Sequence, residues 1–86
     1  MPTVGYVAGF MILMYFRDHA PPHFHIQGNG VFAKINLDGL TVEDVKGTLK
    51  ASDLRAIRDW ARRHLPELYA AWTVAQRGEA PEKIKE

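Results

Sequence analysis

The stretch His23-Phe24-His25-Ile26-Gln27-Gly28-Asn29-Gly30-Val31-Phe32-Ala33-Lys34-Ile35-Asn36-Leu37 decides the fold. Polar and apolar residues alternate on both sides of Asn29-Gly30, which is the period of a half-buried strand. Asn-Gly is a strong signal for a two-residue hairpin turn, because both central positions of such a turn need positive φ. That turn pairs Gly28 with Val31, Ile26 with Ala33, His25 with Lys34, Phe24 with Ile35 and His23 with Asn36. A three-residue turn would set His25 against Ala33 and His23 against Ile35, mixing polar with apolar groups on both faces. A slip of one residue moves every side chain to the wrong face, so the pattern selects the two-residue turn.

Downstream, Asp38-Gly39 reads as a second turn of the same kind. It pairs Leu37 with Leu40, Asn36 with Thr41, Ile35 with Val42 and Lys34 with Glu43. Ala33 against Asp44 breaks the pattern, so the pairing is expected to end or bulge there. Upstream, Phe10 to Phe16 is apolar on both faces and reads as a central, doubly covered strand. Pro21-Pro22 cannot lie inside a central strand, so the chain must turn or run extended there. One sheet face is then apolar: Phe24, Ile26, Ala33, Ile35, Leu37, Leu40 and Val42. The other carries two polar rows, His25-Lys34-Glu43 and His23-Asn36-Thr41. Directly opposed side chains lie about 5 Å apart at Cβ.

The second half is helical. Leu54, Ile57, Ala61, Leu65, Leu68, Trp72 and Ala75 recur at three- and four-residue steps and form one stripe that can cover the apolar face. Trp72 is expected in the core, and Trp60, outside the stripe, is expected to tolerate substitution. Ser52 or Asp53 is the expected N-cap. Pro66 either kinks one long helix or starts a second. Gly78 ends the helical part. The fold class expected is α+β: a small antiparallel β-meander with a C-terminal helix or helix pair packed on one face. Residues 1–78 form a single domain, and the charged residues 79–86 are expected to be a flexible tail.

Eighty-six residues suffice for one modest core. The absence of cysteine excludes disulfides, thiolate metal ligands and a cysteine nucleophile, and fits a reducing cytoplasm, the expected location. The apolar run Val7 to Phe16 is shorter than the roughly 20 residues a membrane span needs, and no Lys or Arg precedes it as in a signal peptide, so no membrane partner is expected. A net charge of +1 provides no global field for nucleic acid. Locally, Lys50, Arg55, Arg58, Arg62 and Arg63 outnumber Asp53 and Asp59, and the ordinary meaning of such a run is a solvated helix face.

The segment His19-Ala20-Pro21-Pro22-His23-Phe24-His25-Ile26 holds three of the four histidines. It resembles the His-x-Pro-Pro-His-Phe-His-Val motif of DUF4160, a small prokaryotic family of unknown function. Trp72, Ala75, Gly78, Pro81 and Ile84 resemble that family's C-terminal series, and the likeness covers nearly the whole chain. The resemblance implies membership of a toxin–antitoxin-type pair, with a small cognate protein of the DUF2442 type as partner.

Histidine both exchanges protons near neutral pH and binds metals. The first reading is a histidine-dependent ribonuclease that needs no cofactor, with RNA as a further partner. Its candidate catalytic residues are His19, His23, His25, Lys34 and Glu43. The histidines and Glu43 would serve as acid and base, and Lys34 would stabilise phosphate charge. Arg17, Arg55, Arg58 and Arg62 are the candidate nucleic-acid contacts, and Phe32 offers a stacking surface. The alternative is a non-enzymatic protein- or metal-binding module. Its zinc ligands would be His19, His23 and His25, with Asp18 or Glu43 able to complete the set. Lys34 beside His25 speaks against a cation there. The blandest reading makes His23 and His25 ordinary polar residues of a solvated sheet face and has His19 hydrogen-bond the backbone of the Pro-Pro loop. His64 reads as a boundary residue of the helical stripe.

Overall fold

The computed structural model describes residues 2–85, and in it Asn29 and Gly30 take positive φ of 49° and 74°. The two-residue turn forms as the sequence requires. Five strands result: β1 (Thr3–Val7), β2 (Phe10–Leu13), β3 (His23–Gly28), β4 (Val31–Asn36) and β5 (Val42–Lys46). They make one antiparallel sheet in the order β1-β2-β3-β4-β5. Two helices follow, α1 (Ala51–Arg63) and α2 (Leu65–Gln76). The α+β meander with a helix pair is therefore the architecture of the chain.

The β3–β4 register is the expected one, from His23 opposite Asn36 to Gly28 opposite Val31. Between β4 and β5 the register is also as read, with Ile35 opposite Val42 and Lys34 opposite Glu43. The turn that sets it differs. Gly39 and Leu40 take positive φ rather than Asp38 and Gly39. Leu37 leaves the ladder, and its amide donates to the Pro22 carbonyl at 3.0 Å. The Asn36 amide still meets the Thr41 carbonyl at 3.0 Å, so the longer loop preserves the pairing. The expected bulge falls at Asp44, with φ of 54°, and pairing resumes at Phe32 opposite Lys46.

The N-terminal half departs further. The apolar run is not one strand to Phe16. Ala8 and Gly9, at φ of 53° and 82°, fold it into a hairpin, and β2 ends at Leu13. An additional edge strand, β1, pairs with β2.

Phe24, Ile26, Ala33 and Ile35 are fully buried on the apolar face, where Ile12 lies opposite Ile26. Ile57, Trp60, Ala61 and Leu68 pack into the same cluster from the helices. The helices meet at His64, and Pro66 lies in the first turn of α2, where its missing N–H costs nothing. The N-cap of α1 is Lys50, not Ser52 or Asp53, and no side chain caps it. Trp60 corrects a second expectation. It is 1% exposed, lies edge-on to Phe24 at 6.5 Å, and covers Gly5 so closely that a Cβ there would come within 2.7 Å of its ring. The buried set Ile57-Trp60-Ala61 follows i, i+3, i+4 spacing, so the apolar face of α1 is broader than the stripe first traced.

Residues 79–85 form no regular element, but they are tied down. Pro81 is buried, and the Ile84 amide donates to the Val4 carbonyl of edge strand β1 at 2.8 Å. Among the described residues no helix is long and apolar enough to cross a membrane.

Candidate functional site

After β2 the chain leaves the sheet and returns through the Pro-Pro segment into β3. Arg17, at φ of 52°, pins this loop to the end of α2. Its amide donates to the Ala75 carbonyl at 3.1 Å and its guanidinium to the Arg77 carbonyl at 3.3 Å. Gln76 donates from its side-chain amide to the Asp18 carbonyl at 3.0 Å. Carbonyls at a helix C-terminus lack helical donors and form the negative end of the helix dipole, so a cation settles there. Arg17 is thus a clamp within the fold, with its side chain exposed.

The clamp places Asp18 beside the start of β3. Asp18 Oδ1 accepts the His19 amide at 2.8 Å, and Oδ2 faces His23 Nε2 at 2.8 Å. The other ring nitrogen of His23, Nδ1, lies 2.8 Å from the Pro21 carbonyl oxygen. A carbonyl can only accept, so Nδ1 is the donor in that contact, which turns Nε2 toward the carboxylate. The His23 ring is 3% exposed, packed 5.0 Å from Trp72 and 5.0 Å, edge-on, from His25. The His25 ring stacks on Phe32 at 5.3 Å and meets Tyr15 edge-on at 4.8 Å. Its Nδ1 is buried and has no hydrogen-bond partner among the described residues. Ligand atoms of Asp18, His23 and His25 all lie within 4.8 Å of one another.

The electrostatics follow from this crowding. Burial works against ionising Asp18. The His19 amide, the His23 hydrogen bond and the charges of His23 and His25 outweigh it and hold the carboxyl below its ordinary value. For His25, burial comes first and the charges of His23 and Lys34 add to it. The Asp18 and Asp44 carboxylates oppose them only in part, so the imidazole is pushed below its ordinary pKa.

The remaining candidates divide. Lys34 is half-buried directly across from His25. Glu43, across from Lys34, instead accepts from the Asn36 side-chain amide, which also donates to the Thr41 hydroxyl at 3.1 Å. His19 is exposed and offers the cluster only its backbone amide, so Asp18 takes the place proposed for it. Arg55, Arg58 and Arg62 lie on α1, which covers the apolar face, whereas the histidines occupy the other. Arg58 donates to the Leu40 carbonyl at 3.0 Å, and Arg62 pairs with Asp59 at 3.0 Å. The structure does not bring this ridge to the cluster. His64 sits between the helices, 2.7 Å from Glu67.

The family model of a domain of unknown function, DUF4160, matches residues 9–73. The matched span contains the whole cluster and Trp72. No curated protein and no solved structure matches the chain.

Proposed function

The chain belongs to the DUF4160 family, and we propose that it works through a divalent transition-metal centre held by Asp18, His23 and His25. The observation that carries this reading is the convergence of the three ligand groups within 4.8 Å. Two imidazoles and a carboxylate are a recurrent donor set for zinc and for non-haem iron. The Nδ1–H of His23 on the Pro21 carbonyl is the kind of outer contact that fixes the tautomer of a ligating histidine and aims its other nitrogen. The unpartnered Nδ1 of His25 supplies a lone pair or a proton that nothing else uses. Three protein ligands leave positions open for water or substrate, as in catalytic rather than structural zinc sites. A metal bound there would acidify a water molecule and polarise an oxygen of the substrate.

The metal-free ribonuclease finds less support. It asks His23 to exchange protons with a substrate, yet that ring is buried and both its nitrogens are engaged. The setting carried over from the family resemblance is one half of a prokaryotic toxin–antitoxin-type pair with a small DUF2442-type partner. Expression without that partner should slow growth, and co-expression should relieve the effect.

Zinc is the probe for the centre. Purified protein stripped with chelator should gain thermal stability on adding zinc, since a ligand of the folded state alone stabilises it. The gain should vanish in the His23→Ala, His25→Ala double variant and shrink in Asp18→Asn. No melting shift at saturating zinc would remove the reading.

A further inference from the structure

Lys34 is the charge that the metal centre leaves unaccounted for. It stands directly across from His25 on paired strands, so the two side chains leave the same sheet face about 5 Å apart at Cβ. Its other cross-strand neighbour, Glu43, turns its carboxylate to the Asn36 amide and makes no ion pair with it, and since Glu43 is exposed, water screens the charge that remains. Among the described residues no carboxylate forms an ion pair with Lys34, although the side chain is half-buried. The ammonium is near enough to His25 to help lower its pKa. A second cation beside a metal is unfavourable unless an anion joins them.

We infer that the site takes a phosphoryl group, held between the Lys34 ammonium and the open positions of the metal centre. This rests on the metal reading above. The charge balance chooses the class. A divalent ion and Lys34 set against the Asp18 carboxylate leave a surplus of two positive charges, which the exposed Glu43 and Asp44 carboxylates offset only in part because water screens them. A phosphate monoester carries close to two negative charges at neutral pH, with three acceptor oxygens that can bridge both cations. A carboxylate ligand brings one charge and two oxygens. Asp44 in the β5 bulge, whose carboxylate also acts on His25, is exposed and therefore screened by water. Phe32 and Tyr15 flank His25 and remain partly open, so the group that carries the phosphate has apolar ring surface beside it.

The test is calorimetric titration of the full chain loaded with one equivalent of zinc. The ligands are adenosine monophosphate, adenosine, and a short RNA with and without a terminal phosphate. Adenosine monophosphate should bind at least tenfold more tightly than adenosine. Lys34→Met should abolish that difference while keeping the zinc melting shift, and Asp44→Asn should enlarge it. A terminal phosphate that governs RNA binding marks the monoester. RNA bound equally well without it marks the internal phosphodiester, and the monoester assignment then falls. Equal binding of adenosine and its monophosphate, or an undiminished preference in Lys34→Met, overturns the inference while the metal centre stands. If zinc does not bind but the phosphate preference persists and still needs Lys34, the metal reading fails and the phosphoryl site survives without it.

Discussion

His25 is where burial and charge act together on a single ring. Its pKa lies below the ordinary 6.5, first because burial disfavours the imidazolium and then because His23 and Lys34 repel it. In the unfolded chain the ring regains its ordinary value. Between the two pKa values the unfolded state therefore binds more protons, and stability rises with pH. The contribution is full above about 6.5 and is lost as pH falls through the folded value. Asp18 has the same sign in a lower window. Its stabilisation is present above 3.8 and is lost as pH falls through its depressed folded value. In chelator, the melting temperature should fall as pH is lowered from 7 to 5, and His25→Phe should flatten that limb while leaving the steeper loss below pH 4. A wild-type curve flat from 7 to 5, or an unchanged slope in the variant, would contradict the assignment. The histidine pair was legible in the sequence because strand alternation puts both rings on one face. The partnership of Asp18 with His23 was not. It depends on how the Pro-Pro loop is held, and that depends on Arg17 and Gln76 contacts spanning about sixty residues of chain. No local pattern encodes such a contact.

At the scale of elements, reading succeeded where two signals agreed. Asn29-Gly30 and the flanking alternation both demand the β3–β4 register, and it is the one found. At Asp38-Gly39 the expected turn gives the right β4–β5 register, although the positive φ values fall one residue on, at Gly39 and Leu40. β1 carried neither signal. Gly5 weakens its strand pattern and Ala8-Gly9 is a poor turn marker, yet Gly5 is what admits the Trp60 ring to the sheet. The helical stripe was traced as a narrow line through Pro66, which left Trp60 outside. The break at His64 lets α1 present its broad Ile57-Trp60-Ala61 face independently of α2. Burial now ranks the two tryptophans. Trp60→Ala should cost about 3–5 kcal/mol, and Trp72→Ala no more than that, since Trp72 keeps some exposure at 8% and lies partly on the polar His23. Against a total stability of about 5–15 kcal/mol, either loss is severe. Urea midpoints measure it, with Trp60→Phe as the variant that still folds. A Trp60→Ala midpoint equal to wild type would refute the packing described.

For the whole molecule, the open question was how a meander of adjacent strands protects its edges. Each strand pairs with its neighbour in sequence, so the sheet has two free sides, β1 and β5. Unpaired edges invite association, and proteins blunt them with charge, bulges or a covering segment. β5 uses the first two, with Glu43, Asp44 and Lys46 exposed and the bulge at Asp44. β1 uses the third. The Ile84 amide bonds to Val4, Pro81 is buried, and the Lys83 ammonium lies 5.8 Å from the Tyr6 ring. The charged composition of residues 79–86 suggested fraying because composition does not register the two apolar anchors, Pro81 and Ile84, among the charges; Glu86 lies outside the described residues. A chain ending at Gly78 should lose two backbone hydrogen bonds, Glu79 to Val74 and Ile84 to Val4, and the burial of those two side chains, together about 2–4 kcal/mol. In a domain of this size each kcal/mol lowers the melting temperature by about 4–8 °C. The shortened chain should also associate as its concentration rises, because the β1 edge and the exposed Tyr6 are uncovered. Calorimetry and sedimentation at two concentrations read both effects. An unchanged melting temperature with a monomer throughout would mean that residues 79–85 contribute nothing to the fold, and that β1 needs no cover.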